Sequence, residues 1–331
     1  MAKIKFLSGR DMRQVVTMAE AITAVREAFI QLSNGNVMMP QRTTISIQKR
    51  KGKTHIMPAY LSSNGALGVK IVSDFPGNRA RNMPIIHGVV IVLDKETGRP
   101  LAVMDGAYLT ALRTGATSAV ATDLLAKKDA HIAALFGAGV QAHTQLEAIC
   151  NVRSIKKIWV YDCVKEIAEA FVKEMKSFGN PISSNILVAE SPAQAVREAD
   201  IVCTVTTSLK PVFNNDDLKK GVLINGFGSF TPEMQEIPPQ TVLRSKVIVD
   251  SLNASLIEAG DLIVPIKEGL ITEQHIHGEI GQVAAGYLSG RESNDEIIFF
   301  KSVGLAVQDV AVAESIYLNA EKLGVGLDVE L

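Results

Sequence analysis

Apolar residues first recur at helical spacing after Thr17-Met18-Ala19-Glu20, a capping-box form: Ile22, Val25, Phe29 and Leu32 follow, and Gly35 suits the stop. The pattern then shortens to β-rich runs at 43–48, 54–59, 66–73, 86–93 and 101–104. Ser62-Ser63-Asn64-Gly65, Pro76-Gly77-Asn78 and Thr97-Gly98-Arg99-Pro100 separate them as turns. Consecutive strands without intervening helices predict a mixed or antiparallel sheet. A long Ala/Leu/Thr-rich helix, 107–126, closes this region.

From residue 131 strands and helices alternate. His131–Phe136, Lys157–Tyr161, Ile201–Thr206, Val222–Asn225 and Val247–Asp250 read as strands, and Val140–Cys150 and Val164–Ser177 as helices. Ser191-Pro192-Ala193-Gln194 opens a further helix, with Pro at the first helical position. Such alternation predicts a doubly wound parallel sheet. The last helix, 305–323, is placed to return to the first domain. The fold class expected is therefore α/β, with a Rossmann-type domain at 128–304. A first domain would take 1–127, in keeping with about two domains for 331 residues.

Composition narrows the function. Lys plus Arg is 34 and Asp plus Glu 35, a balance with no footprint for nucleic acid or an anionic membrane. The basic run Lys49-Arg50-Lys51-Gly52-Lys53 reads as a solvated hairpin tip. Cys150, Cys163 and Cys203 are too few and too scattered for a disulfide framework or a zinc ribbon. With no signal-peptide core and no apolar run near ~20 residues, a cytoplasmic protein is expected.

Gly137-Ala138-Gly139-Val140-Gln141-Ala142 fits G-x-G-x-x-G/A, and it follows a strand and opens a helix. Gly137 would permit the tight turn, and Gly139 would let backbone N–H groups approach a pyrophosphate at the helix N-terminus. Asp162, 23 residues after Gly139, ends the next strand and suits the two ribose hydroxyls of NAD(H). Lys165 nearby leaves NADP(H) open. Lys70 lies inside the apolar run 67–72, where composition alone places it facing solvent. Arg113 sits in an apolar helix and calls for a carboxylate or a ligand anion. Arg42 by itself is an ordinary strand-entry arginine. Asn225 to Pro232 form a strand and loop at the ligand-binding edge of the parallel sheet. His275 and His277 fall in a segment of helical character, where i, i+2 rings diverge and no metal site is expected.

These segments together resemble the ornithine cyclodeaminase/mu-crystallin family. The resemblance rests on Gly68-Val69-Lys70, Pro76-Gly77-Asn78, Ala102-Val103-Met104-Asp105, Ala111-Leu112-Arg113-Thr114, the Gly137 turn, Gly290-Arg291-Glu292 and Ser302 to Asp309, in order along the chain. It implies that 1–127 with 305–331 form a substrate-binding and dimerisation domain, and that a homodimer pairs through N-terminal sheets into a closed barrel-like assembly. It also implies roles. Arg42 would hold a substrate carboxylate, and Lys70 would contact the imine, carbonyl or amino centre and move a proton. Arg113 would hold the carboxylate or, with Thr114, the cofactor. Val140, Gln141 and Asp162 would serve the pyrophosphate and ribose. Thr204, Thr206 and Thr207 would lie beside the cofactor, with Asn225, Gly226 and Gly228 near the nicotinamide. Ser302 and Val303 would close the pocket.

One departure separates branches of that family. Cyclodeaminases carry an aspartate in the loop after the Asn225 strand; aligning on Asn225, Gly228 and Pro232 puts Phe230 there. Phenylalanine can neither act as a base nor pair with an ammonium group. The resemblance therefore implies an NAD(H)-dependent reductase or dehydrogenase of a small imino, amino or keto acid. The substrate would be a cyclic imine such as pyrroline-2-carboxylate, or alanine and pyruvate with ammonia. An ornithine cyclodeaminase releasing ammonia with catalytic NAD is the alternative, and a mu-crystallin-like binding protein the third.

Overall fold

The computed structural model describes residues 3–330. The chain divides into two compact units, one of the described residues up to Arg113 together with those from Leu305, the other Thr114–Gly304.

The first unit opens with β1 (Lys3–Leu7), α1 (Gly9–Val15) and α2 (Met18–Ser33). Thr17 caps α2 as its spacing predicts: Glu20 N–H donates to the Thr17 hydroxyl, and the Glu20 carboxylate accepts from Thr17 N–H. Then come β2 (Val37–Met38), β3 (Thr43–Ile47), β4 (Gly52–Leu61), β5 (Ala66–Asp74), β6 (Ile86–Leu93), β7 (Pro100–Asp105) and α3 (Gly106–Leu125). The five predicted strands all form. The basic run is a hairpin tip, but its left-handed residue is Lys51 at φ +50°. Gly52 is needed for room instead, since a Cβ there would lie 2.5 Å from the Phe75 ring.

In this sheet the order is β16-β1-β7-β6-β5-β4-β2, with β3 also on β4; β1–β7 is parallel and the other pairs are antiparallel. One face is buried through Met57, Ala59, Val90, Val92, Ala102 and Met104. The C-terminal helix packs on that face and on α2, whose Ala21, Val25, Ala28 and Phe29 are fully buried. Gly68 lets this helix come close, with Val310 only 3.3 Å from the position a Cβ would take.

The second unit alternates β8 (Ile132–Phe136), α4 (Val140–Val152), β9 (Lys157–Tyr161), α5 (Lys165–Met175), β10 (Ile186–Val188), α6 (Pro192–Val196), β11 (Ile201–Thr204) and β12 (Leu223–Gly226). It continues through α7 (Pro239–Arg244), β13 (Lys246–Val249), α8 (Leu252–Glu258), α9 (Gly260–Lys267), β14 (Ile276–Glu279), α10 (Ile280–Ala284) and β15 (Ile298–Lys301). The chain ends in α11 (Ala306–Leu323) and β16 (Leu327–Glu330), in the first unit. The second sheet is wholly parallel, in the order β10-β9-β8-β11-β12-β15-β13-β14. Strand order reverses between β8 and β11, the switch point where open α/β sheets take their ligands.

Two expectations change. The division falls at Arg113/Thr114 inside α3, not at 127/128. From Thr114 onward the helix packs closely on α4, with the Thr144 carbonyl oxygen 2.4 Å from where a Gly115 Cβ would sit. The segment holding His275 and His277 is a short 3-10 turn followed by β14, not a helix, and the two rings face different carbonyls, those of Val242 and Ser289. The sequence pattern does not predict β1, β2, β10, β14, β15 or β16.

Candidate active site

In the first unit, register decides where Lys70 points. Lys70 stands opposite Met57 and Val90, so its side chain joins the buried face of the sheet. It is 1% exposed, which overturns the solvent-facing expectation. Composition could not foresee a partner brought from the far end of the chain. The Lys70 ammonium lies 2.6 Å from the Asp309 carboxylate. Asp309, fully buried in the first turn of α11, also accepts from Arg113 Nε at 3.0 Å. Arg113 Nη1 donates to Gln308 Oε1 at 3.0 Å, and the same oxygen accepts from Leu305 N–H.

Two cations thus share one buried carboxylate. Burial pushes the Lys70 ammonium down to about 7; Asp309 works against that, while the Arg113 and Arg42 guanidiniums reinforce it. Arg42 enters β3 half-buried. His55, opposite Thr44 and Val72, shares the face of Lys70 and sits 2.9 Å from the Thr44 hydroxyl through Nδ1. Burial, then Arg42, Lys53 and Lys70, push it down to about 4, so its ring is neutral at physiological pH. The cluster has an excess of positive charge that a small carboxylate would balance. The sequence reading gives no role to Asp309, although it ends the stretch from Ser302, nor to His55. A signal for the first exists, since an aspartate in the apolar start of a helix needs a cation as much as Lys70 and Arg113 need an anion.

In the second unit the glycine turn has the geometry its motif predicts. Gly137 adopts φ +89°, and Gly139 caps α4 with nothing within 4 Å of where a Cβ would sit. Val140 is 80% exposed. An open, glycine-floored N-terminus of a 13-residue helix fits a pyrophosphate. Asp162 at the end of β9 accepts from Ala138 N–H and Val164 N–H, both at 3.0 Å, holding its carboxylate at the turn. Lys165 is bound by both oxygens of Glu190 at 3.1 Å, so the cation that left NADP(H) open is already engaged by a carboxylate. These residues fit a dinucleotide with free ribose hydroxyls.

Most of the other expected cofactor residues are engaged by protein groups. The Thr204 hydroxyl, the Thr206 N–H and hydroxyl, and the Gly228 N–H all donate to Glu236. Thr204 is fully buried. Asn225, also fully buried, donates from Nδ2 to the Ser118 and Thr122 hydroxyls. Gly226 makes room for the Phe299 ring, 2.8 Å from where a Cβ would lie. The Ser302 hydroxyl and the Val303 and Gly304 N–H groups converge on one Asp250 oxygen at 2.7–2.9 Å. Thr114 accepts from Gln145 through its carbonyl, and the Gln141 side chain is half-buried. Thr207 is exposed in the loop after β11. Phe230, 36% exposed, lies in the loop after β12, where the resemblance puts a cyclodeaminase's acid.

Comparison with known proteins agrees along the whole chain. The profile of the ornithine cyclodeaminase/mu-crystallin family matches residues 3–323. A Delta(1)-pyrroline-2-carboxylate reductase of Bacillus cereus is 42% identical over 326 residues, 98% of this chain and 99% of that one. The Thermococcus litoralis Delta(1)-pyrroline-2-carboxylate reductase, solved in complex with NADH and L-proline, is 42% identical with a TM-score of 0.95, covering 98% of this chain and 100% of that one. An archaeal alanine dehydrogenase dimer with bound NAD superposes with a TM-score of 0.92 at 35% identity, covering both chains fully. The chain belongs to the ornithine cyclodeaminase/mu-crystallin family.

Proposed function

We propose that this protein is an NADH-dependent reductase of Delta(1)-pyrroline-2-carboxylate, forming L-proline. The observation that carries the proposal is the buried Lys70–Asp309–Arg113 cluster, whose surplus positive charge asks for a small anion and whose lysine is poised to release a proton near neutral pH. The full-length likeness to two reductases of that name supports the substrate. Bound NADH would supply the hydride for the ring carbon that bears the carboxylate. Arg42 and Arg113 neutralise that carboxylate and orient the ring. Lys70 gives its proton to the ring nitrogen, so the C=N bond becomes CH–NH, and solvent reprotonates the amine. Asp309 keeps the Lys70 ammonium directed and partly neutralised.

Phe230 supports reduction over ring-closing deamination, because that position lacks an acid. The glycine turn, Asp162 and the engaged Lys165 support NAD(H) over NADP(H). We also propose a homodimer paired through the first sheet. Its outward face carries Ile45, Ile71, Val89 and Ile91, with Ile45 and Val89 exposed. Among the described residues no helix is long and apolar enough to cross a membrane.

The test is NADH oxidation with Delta(1)-pyrroline-2-carboxylate, with pyruvate plus ammonia, and ammonium release from L-ornithine with catalytic NAD. The cyclic imine is expected to be turned over fastest. A Lys70→Met variant is expected to lose roughly 10²- to 10⁴-fold in kcat while NADH fluorescence titration still shows binding. A fully active Lys70→Met enzyme, or ornithine as the best substrate, overturns the mechanism.

A further inference from the structure

Three residues expected to serve the cofactor share one protein partner. Glu236 is fully buried, two residues before the prolines that open α7. Its Oε1 accepts from Thr206 N–H at 2.7 Å and the Thr206 hydroxyl at 2.8 Å. Its Oε2 accepts from the Thr204 hydroxyl at 2.8 Å and Gly228 N–H at 2.7 Å. Thr204 and Thr206 belong to the end of β11 and its loop, and Gly228 to the loop after β12. One carboxylate therefore ties two neighbouring strand ends together at the ligand-binding edge of the parallel sheet.

The anchor itself is held rigidly. Glu236 N–H and Ile237 N–H donate to Asp261 Oδ1 at 2.7 and 2.9 Å, and the Glu236 carbonyl accepts from Val212 N–H at 2.8 Å. Asp261 is in turn met by the buried Lys301 ammonium at 3.2 Å. The clamp also reaches the glycine turn. A Cβ on Gly137 would lie 3.0 Å from the Val205 carbonyl oxygen and 3.1 Å from the Thr206 methyl, so the turn rests on the segment that Glu236 fixes. Gly228 has no Cβ because Glu236 Oε1 would be 2.4 Å from it.

We infer that Glu236 is a positioning residue for dinucleotide binding: its carboxylate locks the β11 and β12 loops against the glycine turn and so fixes the floor on which the cofactor sits. The inference rests on the reading that NADH binds at that turn. Only an ionised carboxylate suits the place. Two of its four donors are backbone N–H groups, which cannot reverse their polarity. An amide in the same position would bring its NH2 against one of them. Burial and the nearby Asp261 raise the proton affinity of Glu236, and Lys301 and Thr206 lower it. Protonation at acid pH would put an O–H where an N–H already points.

The test compares the wild type with Glu236→Gln and Thr204→Val by NADH fluorescence titration, steady-state kinetics and circular dichroism. Glu236→Gln is expected to raise the NADH Kd and KM at least tenfold, with the KM for pyrroline-2-carboxylate changed less than twofold. The wild-type NADH Kd is expected to rise as pH falls, and that dependence to flatten in Glu236→Gln. Thr204→Val, which removes one donor and keeps the shape, is expected to raise the Kd severalfold. A folded Glu236→Gln protein with wild-type NADH affinity overturns the inference; if that variant does not fold, an unchanged Kd in Thr204→Val does so. Wild-type protein that binds no NADH brings down the cofactor reading, and this inference with it.

Discussion

Lys70 shows how far a buried site can move a side chain from its solution behaviour. In the unfolded chain its ammonium titrates near 10.5, and in the folded protein near 7. Between those values the unfolded state binds one more proton than the native state, so stability rises with pH across that window and is level outside it. Each pH unit of the window adds about 1.4 kcal/mol. Urea unfolding of the wild type and Lys70→Met at pH 7 to 10 is expected to show a gap that changes at this slope. Parallel curves would mean that Lys70 is not depressed. The same titration sets the rate. Proton donation needs the ammonium form, so log kcat/KM is expected to fall with unit slope above about pH 7. Bound substrate carboxylate stabilises that form and is expected to carry the break in kcat to higher pH.

Elements were the most readable part of the chain. The Thr17 capping box, the Gly137 turn and its helix, and the antiparallel run of strands all follow local rules and formed where those rules put them. The Gly137 turn makes a sharp forecast. Gly137→Ala places a methyl group on a residue at φ +89°, hard against Val205. It is expected to weaken NADH binding by tenfold or more, about 1.4 kcal/mol, while the first unit's capping and packing stay intact. NADH titration with a thermal melt checks it, and unchanged affinity would contradict the role given to the turn. At the end of β9, Asp162 and the Lys165–Glu190 pair predict discrimination against a 2′-phosphate. Like charges set against one another cost several kcal/mol, so kcat/KM with NADH is expected to exceed that with NADPH by on the order of 100-fold. Comparable rates with the two cofactors would refute it.

For the molecule as a whole, the outward face of the first sheet is the feature with the largest consequence. Ile45 is 53% exposed and Val89 38% on a sheet of long strands, a surface that favours burial against a second copy. Light scattering is expected to give twice the 35.6 kDa chain mass. A Val89→Asp, Ile45→Asp variant is expected to run as a monomer. A monomeric wild type would sink the dimer. The site itself marks the border between local and global information. Sequence alone determined most of the longer strands and helices, the glycine turn and the acid that ends β9, because each depends on residues a few positions apart. It also supplied Lys70, Arg42 and Arg113 through resemblance to a family. Tertiary structure decided that Lys70 is buried, that Asp309 is its partner, and that Glu236 collects the donors of two strand ends. Arg113 and Asp309 lie 196 residues apart in the chain. A buried charge is governed by what the fold brings within 3 Å of it, and no spacing along the chain encodes that meeting.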